Sequence, residues 1–289
     1  MDVHVMMNTS ALMMTLVGIG SSLYTSVLNI YFLKKVERKK NDMILFYFRF
    51  FLDASIGLLV IFYLLVVISL SYFWNTFADY QNFIFYFGFP ISNISTCRSI
   101  VSLAISIERS VAVYSPIFYH NYRKLCPSIF ILLIAVSYGL AENLVLHAVC
   151  NYTIYLSENC AALGCAVNSC FNKYWTISKL ILFVLIFLFS AILFLKLTIL
   201  KKNTVNKNLS RVNYLAIMDS IVMLLFDFLP NFTANYFSNL KFLSFQIAGP
   251  YVTVVKMFGS ASEAYLVFRI IRKKSESMVG SVGRSLDRR

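Results

Sequence analysis

Charged side chains are scarce in this chain: they make up 13% of its 289 residues against 59% hydrophobic ones, and the mean hydropathy is +0.71. A soluble domain carries about a quarter charged residues, so the scarcity excludes the ordinary soluble class and leaves a chain that crosses a lipid bilayer several times. Acidic residues are scarcer still, 13 Asp and Glu against 26 Lys and Arg, for a formal charge of +13. The surplus cations are confined to short segments between apolar runs. Membrane orientation accounts for them, and no nucleic-acid partner is expected.

Other absences narrow the class further. No basic residue precedes the first apolar run and no small-residue cleavage site follows it. A cleaved signal peptide is therefore not expected, and the first helix serves as an uncleaved anchor. No module of fixed period recurs, and an odd number of spans does not divide into the inverted halves that many transporters use. No nucleophile with its base and no intramembrane metal set stands out, so no enzyme, catalytic residue, cofactor or metal is expected.

What is present is a series of apolar runs, each long enough at about 1.5 Å per residue to cross a hydrocarbon core of about 30 Å. They cover residues 11–33, 43–70, 83–114, 128–149, 175–200, 212–236 and 246–271, flanked by a short lead (1–10) and a basic tail (272–289). The fifth run is the most uniformly apolar. Segments after runs one, three, five and seven are basic, among them Lys34, Lys35, Arg38, Lys39 and Lys40; those after two, four and six carry Lys173 and Lys241 alone. The excess of cations on cytoplasmic segments places the N-terminus outside and the C-terminus inside. The fold expected is an all-α membrane protein, a bundle of seven transmembrane helices.

Several polar residues interrupt these runs. The third run holds Arg98 and ends at Glu108 and Arg109, where a helix starting near Phe83 reaches the far interface; Pro116 then limits its continuation. Arg109 either snorkels to headgroups or takes part in coupling, with Glu108 neutralising it at rest. Arg98 lies eleven residues earlier, on nearly the same face and about 16 Å deeper. It must face the bundle interior, where Asp53, Asp227 and Glu263 are the carboxylates expected to serve it, as a structural ion pair or in a ligand cavity. Asp227 stands three residues before Pro230, in the turn a proline disrupts. Glu142 and His147 fall near the outer end of the fourth run, where they could line a pocket.

The segment between runs four and five holds Cys150, Cys160, Cys165 and Cys170. In an extracellular, oxidising setting these favour disulfides over zinc, and three connectivities are open. The sequons at Asn8 and Asn151 fall on the outer side and are glycosylation candidates; those at Asn93, inside a span, and Asn208, in the cytosol, are expected to be unused.

Four stretches together carry a family resemblance: SLAISIERSVAVYSPIFYHNYR, GCAVNSCFNKYW, LSRVNYLAIMDSIVMLLFDFLP and GPYVTVVKMFGSASEAYLVFR. They resemble the seven-helix G-protein-coupled receptors, and within them the nematode serpentine chemoreceptors of class Srbc, over essentially the whole chain. The resemblance implies a multi-pass plasma-membrane receptor of sensory neurons that binds small environmental molecules and activates a heterotrimeric G protein. It implies a switch role for Glu108, Arg109 and Tyr114, a kinked sixth helix at Pro230, and a helix-two aspartate at Asp53. The chain departs from rhodopsin-like receptors in three places. Its third span has no cysteine at the outer start, its seventh has no Asn-Pro-x-x-Tyr, and Ser210 and Arg211 stand where an acid begins the sixth helix. The alternative from a different class is a transporter or channel with a polar path through Arg98, Asp53 and Glu263.

Overall fold

The computed structural model describes residues 7–35, 44–125, 127–154, 160, 163–200, 207–236 and 248–286. Arg38, Lys39, Lys40 and Lys241, whose charges bear on the orientation of the chain, lie outside the described residues. Among those described, regular structure is helical throughout, and seven helices are long: α1 (Thr9–Lys35), α2 (Ile44–Tyr72), α3 (Phe83–Tyr114), α4 (Ser128–Leu144), α5 (Ser169–Leu200), α6 (Lys207–Met223) and α7 (Tyr251–Leu286). The tail expected from residue 272 continues α7 as helix to Leu286. α1 packs against α2 and α7. α3 sits centrally and touches α2, α4, α5 and α6, and contacts from α5 to α6 and from α6 to α7 close the ring.

Among the described residues, five helices are long and apolar enough to cross a membrane: α1, α2, α4 with its extension, α5 and α6 with its extension. α3 and α7, also expected as spans, are less apolar for one physical reason. α3 gives its buried face to Ser92, Ser95, Thr96, Arg98, Ser99, Ser102, Ser106, Arg109 and Ser110, so its average hydropathy is diluted by residues that face protein. α7 carries Lys256 and Glu263 inward in the same way.

On α1 the distribution of polarity is inverted relative to a helix of a soluble bundle. Thr15, Ser22, Thr25, Ser26 and Asn29 are buried while Met13, Leu16, Val17, Leu23 and Val27 face outward. In lipid the outward apolar side costs nothing, and small inward residues let backbones approach. The buried hydroxyls are satisfied locally: Thr15 donates to the carbonyl of Ala11 at 2.7 Å, Ser22 to Gly18 at 2.7 Å and Ser26 to Ser22 at 2.9 Å. Close approach is needed at Gly57 of α2, where a Cβ would lie 2.3 Å from Ser26 Oγ.

Prolines shape two of the helices. Pro116 follows the break at Ser115 and opens a new helix, Pro116–Leu125, occupying the first-turn position where its missing N–H is harmless. Pro230 acts one turn upstream of itself. Its ring excludes the carbonyl four residues back and it donates no hydrogen bond, so α6 widens into a π-helical segment, Leu224–Phe228, before resuming as Leu229–Tyr236. The Leu229 N–H reaches back five residues to Leu224. The widened turn presses Phe226 onto α7 at Gly259, where a Cβ would come within 2.3 Å of Phe226 Cβ.

Candidate functional site

A cavity of about 350 Å³ lies among α2, α3, α5, the extension of α6 and α7, under the segment that joins α4 to α5. Ile56, Val60, Ile91, Phe171 and Met257 give it apolar walls, and Leu163, Gly164 and Val167 come from the joining segment. That segment is closed on itself by Cys150–Cys170 and Cys160–Cys165, the nested one of the three possible connectivities. Asn168 fixes its junction with α5: its side-chain oxygen accepts from Phe171 N–H at 3.0 Å and its amide donates to the Cys150 carbonyl at 2.8 Å. Gln81 donates to the Cys160 carbonyl at 3.2 Å, tying the segment to the turn between α2 and α3. Cys97 takes no part, as its position inside the third span implied; it is buried and its thiol donates to Ala135 of α4 at 3.2 Å.

The polar part of the cavity is made by α3, α5, α6 and α7. Lys256 pairs with Asp227 at 3.1 Å and also donates to Ser95 Oγ. Asn231, one turn past Asp227, donates to the Asp227 carbonyl at 2.7 Å and carboxylate at 3.2 Å. Lys179, in the first half of α5, lines the same cavity, 8% exposed; its ammonium lies 5.9 Å from the centre of the Trp175 ring and has no hydrogen-bond partner among the described residues.

One to two helical turns further in lies a second set of charges. Arg98 of α3 pairs with Asp53 of α2, with Asp219 of α6 at 3.3 Å and with Glu263 of α7 at 3.0 Å. Arg49, one turn from Asp53 on α2, pairs with Glu263, with Asp219 at 3.0 Å and with Asp53 at 3.6 Å. Two guanidiniums thus meet three carboxylates from four helices, all nearly inaccessible. Planar forks suit this shared bidentate arrangement in a way ammonium groups do not. Asp227, expected among the partners of Arg98, belongs instead to Lys256; its place is taken by Asp219.

The far end of α3 carries a third, smaller cluster. Arg109, 5% exposed, donates to Glu108 at 3.1 Å, and the hydroxyl of Tyr119, on the helix that Pro116 opens, donates to the same carboxylate oxygen at 2.7 Å. Tyr114 stands apart, exposed, with Lys196 of α5 4.9 Å from its ring centre. Glu142 and His147 do not reach the cavity. α4 packs outside α3, so Glu142 is buried against it and accepts from Thr96 at 2.8 Å, while His147 is exposed beside Tyr152. Asn8 and Asn151 are both exposed, at the cavity end.

Four contributors escaped the reading of the sequence. Arg49 and Asp219 were visible as charges within spans, but no local spacing tells which helices face each other. Lys179 is different, because one ammonium in the interior of the most apolar run is itself a signal of function at membrane depth. Tyr119 had no signal of its own.

The family model for serpentine type 7TM GPCR chemoreceptors of class Srbc matches residues 7–275. No individual curated protein matches the chain. The match spans nearly the whole sequence, and the chain belongs to the Srbc family of serpentine 7TM chemoreceptors. It is a multi-pass membrane protein of a receptor class, not of an enzyme class.

Proposed function

We propose that the chain is a chemosensory G-protein-coupled receptor of the plasma membrane of sensory neurons, with its N-terminus outside, that binds a small environmental molecule and activates a heterotrimeric G protein. The observation that carries the reading is the two-ended use of α3. Ser95 lines the loop-covered cavity, and Arg109, fourteen residues on, sits in the Glu108–Tyr119 clasp at the opposite end, about 21 Å away. A ligand in the cavity touches α2, α3, α5, α6 and α7 together, so it can favour one packing of these helices over another. Moving a population from 1:99 to 99:1 takes about 5.5 kcal/mol of differential affinity. The π-helical turn before Pro230 gives α6 a point about which its ends can reorient.

At the other end, rearrangement of the clasp releases the Arg109 guanidinium to bond carbonyls of the G protein. Lys34 and Lys35 in the last turn of α1, with Lys196 a turn before the end of α5, support placing this end in the cytosol. Asn8 and Asn151 are then available for glycosylation. A transport path would need Asp53, Arg98 and Glu263 open to solute, whereas here they are spent on one another.

The test is ligand-stimulated nucleotide exchange on a heterotrimeric G protein, screened against a panel of volatile and water-soluble molecules at equal surface expression. Arg109→Ala is expected to abolish stimulated exchange while leaving the cavity intact, and Tyr119→Phe to raise exchange without ligand by loosening the clasp. Wild-type exchange by Arg109→Ala would overturn the coupling role.

A further inference from the structure

The cavity wall presents donors without acceptors. Lys179, Trp175 and Tyr251 all line it, and the Lys179 ammonium, the Trp175 indole N–H and the Tyr251 hydroxyl, each buried, have no hydrogen-bond partner among the described residues. Lys179 and Trp175 are one turn apart on α5, and Lys179 is more than nine-tenths buried. Its charge is not cancelled in place either: the cavity wall holds Lys179 and Lys256 against Asp227, and Asp227 is committed to Lys256 at 3.1 Å. Glu142 lies outside the cavity lining and within electrostatic reach of Lys179, but it is not close enough to form an ion pair with it; one of its oxygens accepts from Thr96 at 2.8 Å and the other has no hydrogen-bond partner among the described residues. A buried cation and neighbouring donors held beside apolar walls are complementary to a group with several acceptor lone pairs, one negative charge and an apolar body.

Resting on the receptor reading above, we infer that the cavity takes a small organic monoanion, a medium-chain carboxylate, with its carboxylate on Lys179 and Trp175 and its chain against Ile56, Val60 and Met257. The ammonium supplies a charge-assisted bond, the indole a second donor, and the aliphatic wall excludes the water that would screen them. Neutral isosteres leave the ammonium without its counter-charge, so discrimination falls on charge before shape.

The full chain in lipid nanodiscs, with no G protein present, would be titrated with hexanoate and with hexanamide, followed by calorimetry or thermal shift. Hexanoate is expected to bind saturably and hexanamide at least about tenfold more weakly. Lys179→Met should lose that advantage for hexanoate while leaving hexanamide unchanged, and Lys179→Arg should keep most of it. Equal binding of the two probes, undiminished hexanoate binding by Lys179→Met, or displacement of hexanoate by chloride at equal concentration would each overturn the assignment. The probe comparison on the unsubstituted chain stands even where Lys179→Met does not fold. Hexanoate that binds through Lys179 yet evokes no nucleotide exchange supports the site and counts against the receptor reading. Exchange driven by neutral molecules alone and unaffected by Lys179→Met overturns the site and leaves the receptor reading in place.

Discussion

Two sets of buried charges lie within a few helical turns of each other, and they are handled in opposite ways. In the deeper set every carboxylate meets at least one guanidinium, and four helices contribute. In the cavity wall one lysine is paired and another, buried, has no hydrogen-bond partner among the described residues. Removing an ion from water costs several kcal/mol, so charges deep in a bundle persist when other charges compensate them or when a cavity admits something that does. The first solution yields a latch among α2, α3, α6 and α7. The second leaves the molecule with an unfilled electrostatic demand, which suits binding. Arginine serves the latch, since its fork is shared among three acids; lysine serves the cavity, as a compact charge on a flexible stem.

The contrast can be broken first at the latch. Arg98→Met leaves Asp53, Asp219 and Glu263 with Arg49 alone, and the expected loss is about 3–5 kcal/mol, seen as a lower thermal unfolding midpoint and reduced surface expression. Pairing it with Asp53→Asn should return part of that loss, because the two are in direct contact; strict additivity would show that the latch is not a coupled unit. The cavity depends next on its cover. Removing Cys150–Cys170 by a double serine substitution should cost about 3 kcal/mol and Cys160–Cys165 about 2 kcal/mol, in order of loop length, by non-reducing and reducing melts. Reversal of that order would mean native contacts and not loop closure set the stability of the segment.

Smaller effects belong to the cavity itself. Lys256→Met deprives Asp227 of its partner, but Asn231 still donates to the carboxylate, so about 1–3 kcal/mol is expected. Lys179→Met should be the mildest, neutral or stabilising by about 1 kcal/mol in the absence of ligand, since it removes a buried charge that has no direct partner. A melt in which Lys179→Met falls as far as Arg98→Met would erase the distinction between latch and cavity.

Much of this architecture is legible in the order of the residues. The third helix runs between the expected limits of Phe83 and Tyr114 because an apolar run and a proline set both ends. The depth and inward direction of Arg98 follow from the cost of a charge in lipid. The partners expected for it were partly wrong, for a reason in α6. Asp219 and Asp227 are eight residues apart, about 80° around a regular helix, which would favour one or the other for the interior. The π-helical segment at Leu224–Phe228 takes up part of that offset, so both are buried, Asp219 in the latch and Asp227 beside the cavity. Glu142 and His147 failed as cavity residues because sequence gives the height of a residue in the membrane and not which helix stands outside the ring.

The sequence by itself determined what depends on one segment at a time: the membrane class, the limits of the third helix, and the restriction of the cysteine-rich segment to bonds within itself, Cys97 lying too deep to join it. These follow from transfer of side chains to lipid, from chain geometry and from proline chemistry, all of which act locally. Tertiary structure alone decided the pairing of two arginines with three acids, the nested disulfides, the clasp of Tyr119 on Glu108, and the place of Lys179 in a cavity wall. Each of these joins residues distant along the chain, and their meeting is fixed by helix rotation and packing, which no single run of residues encodes.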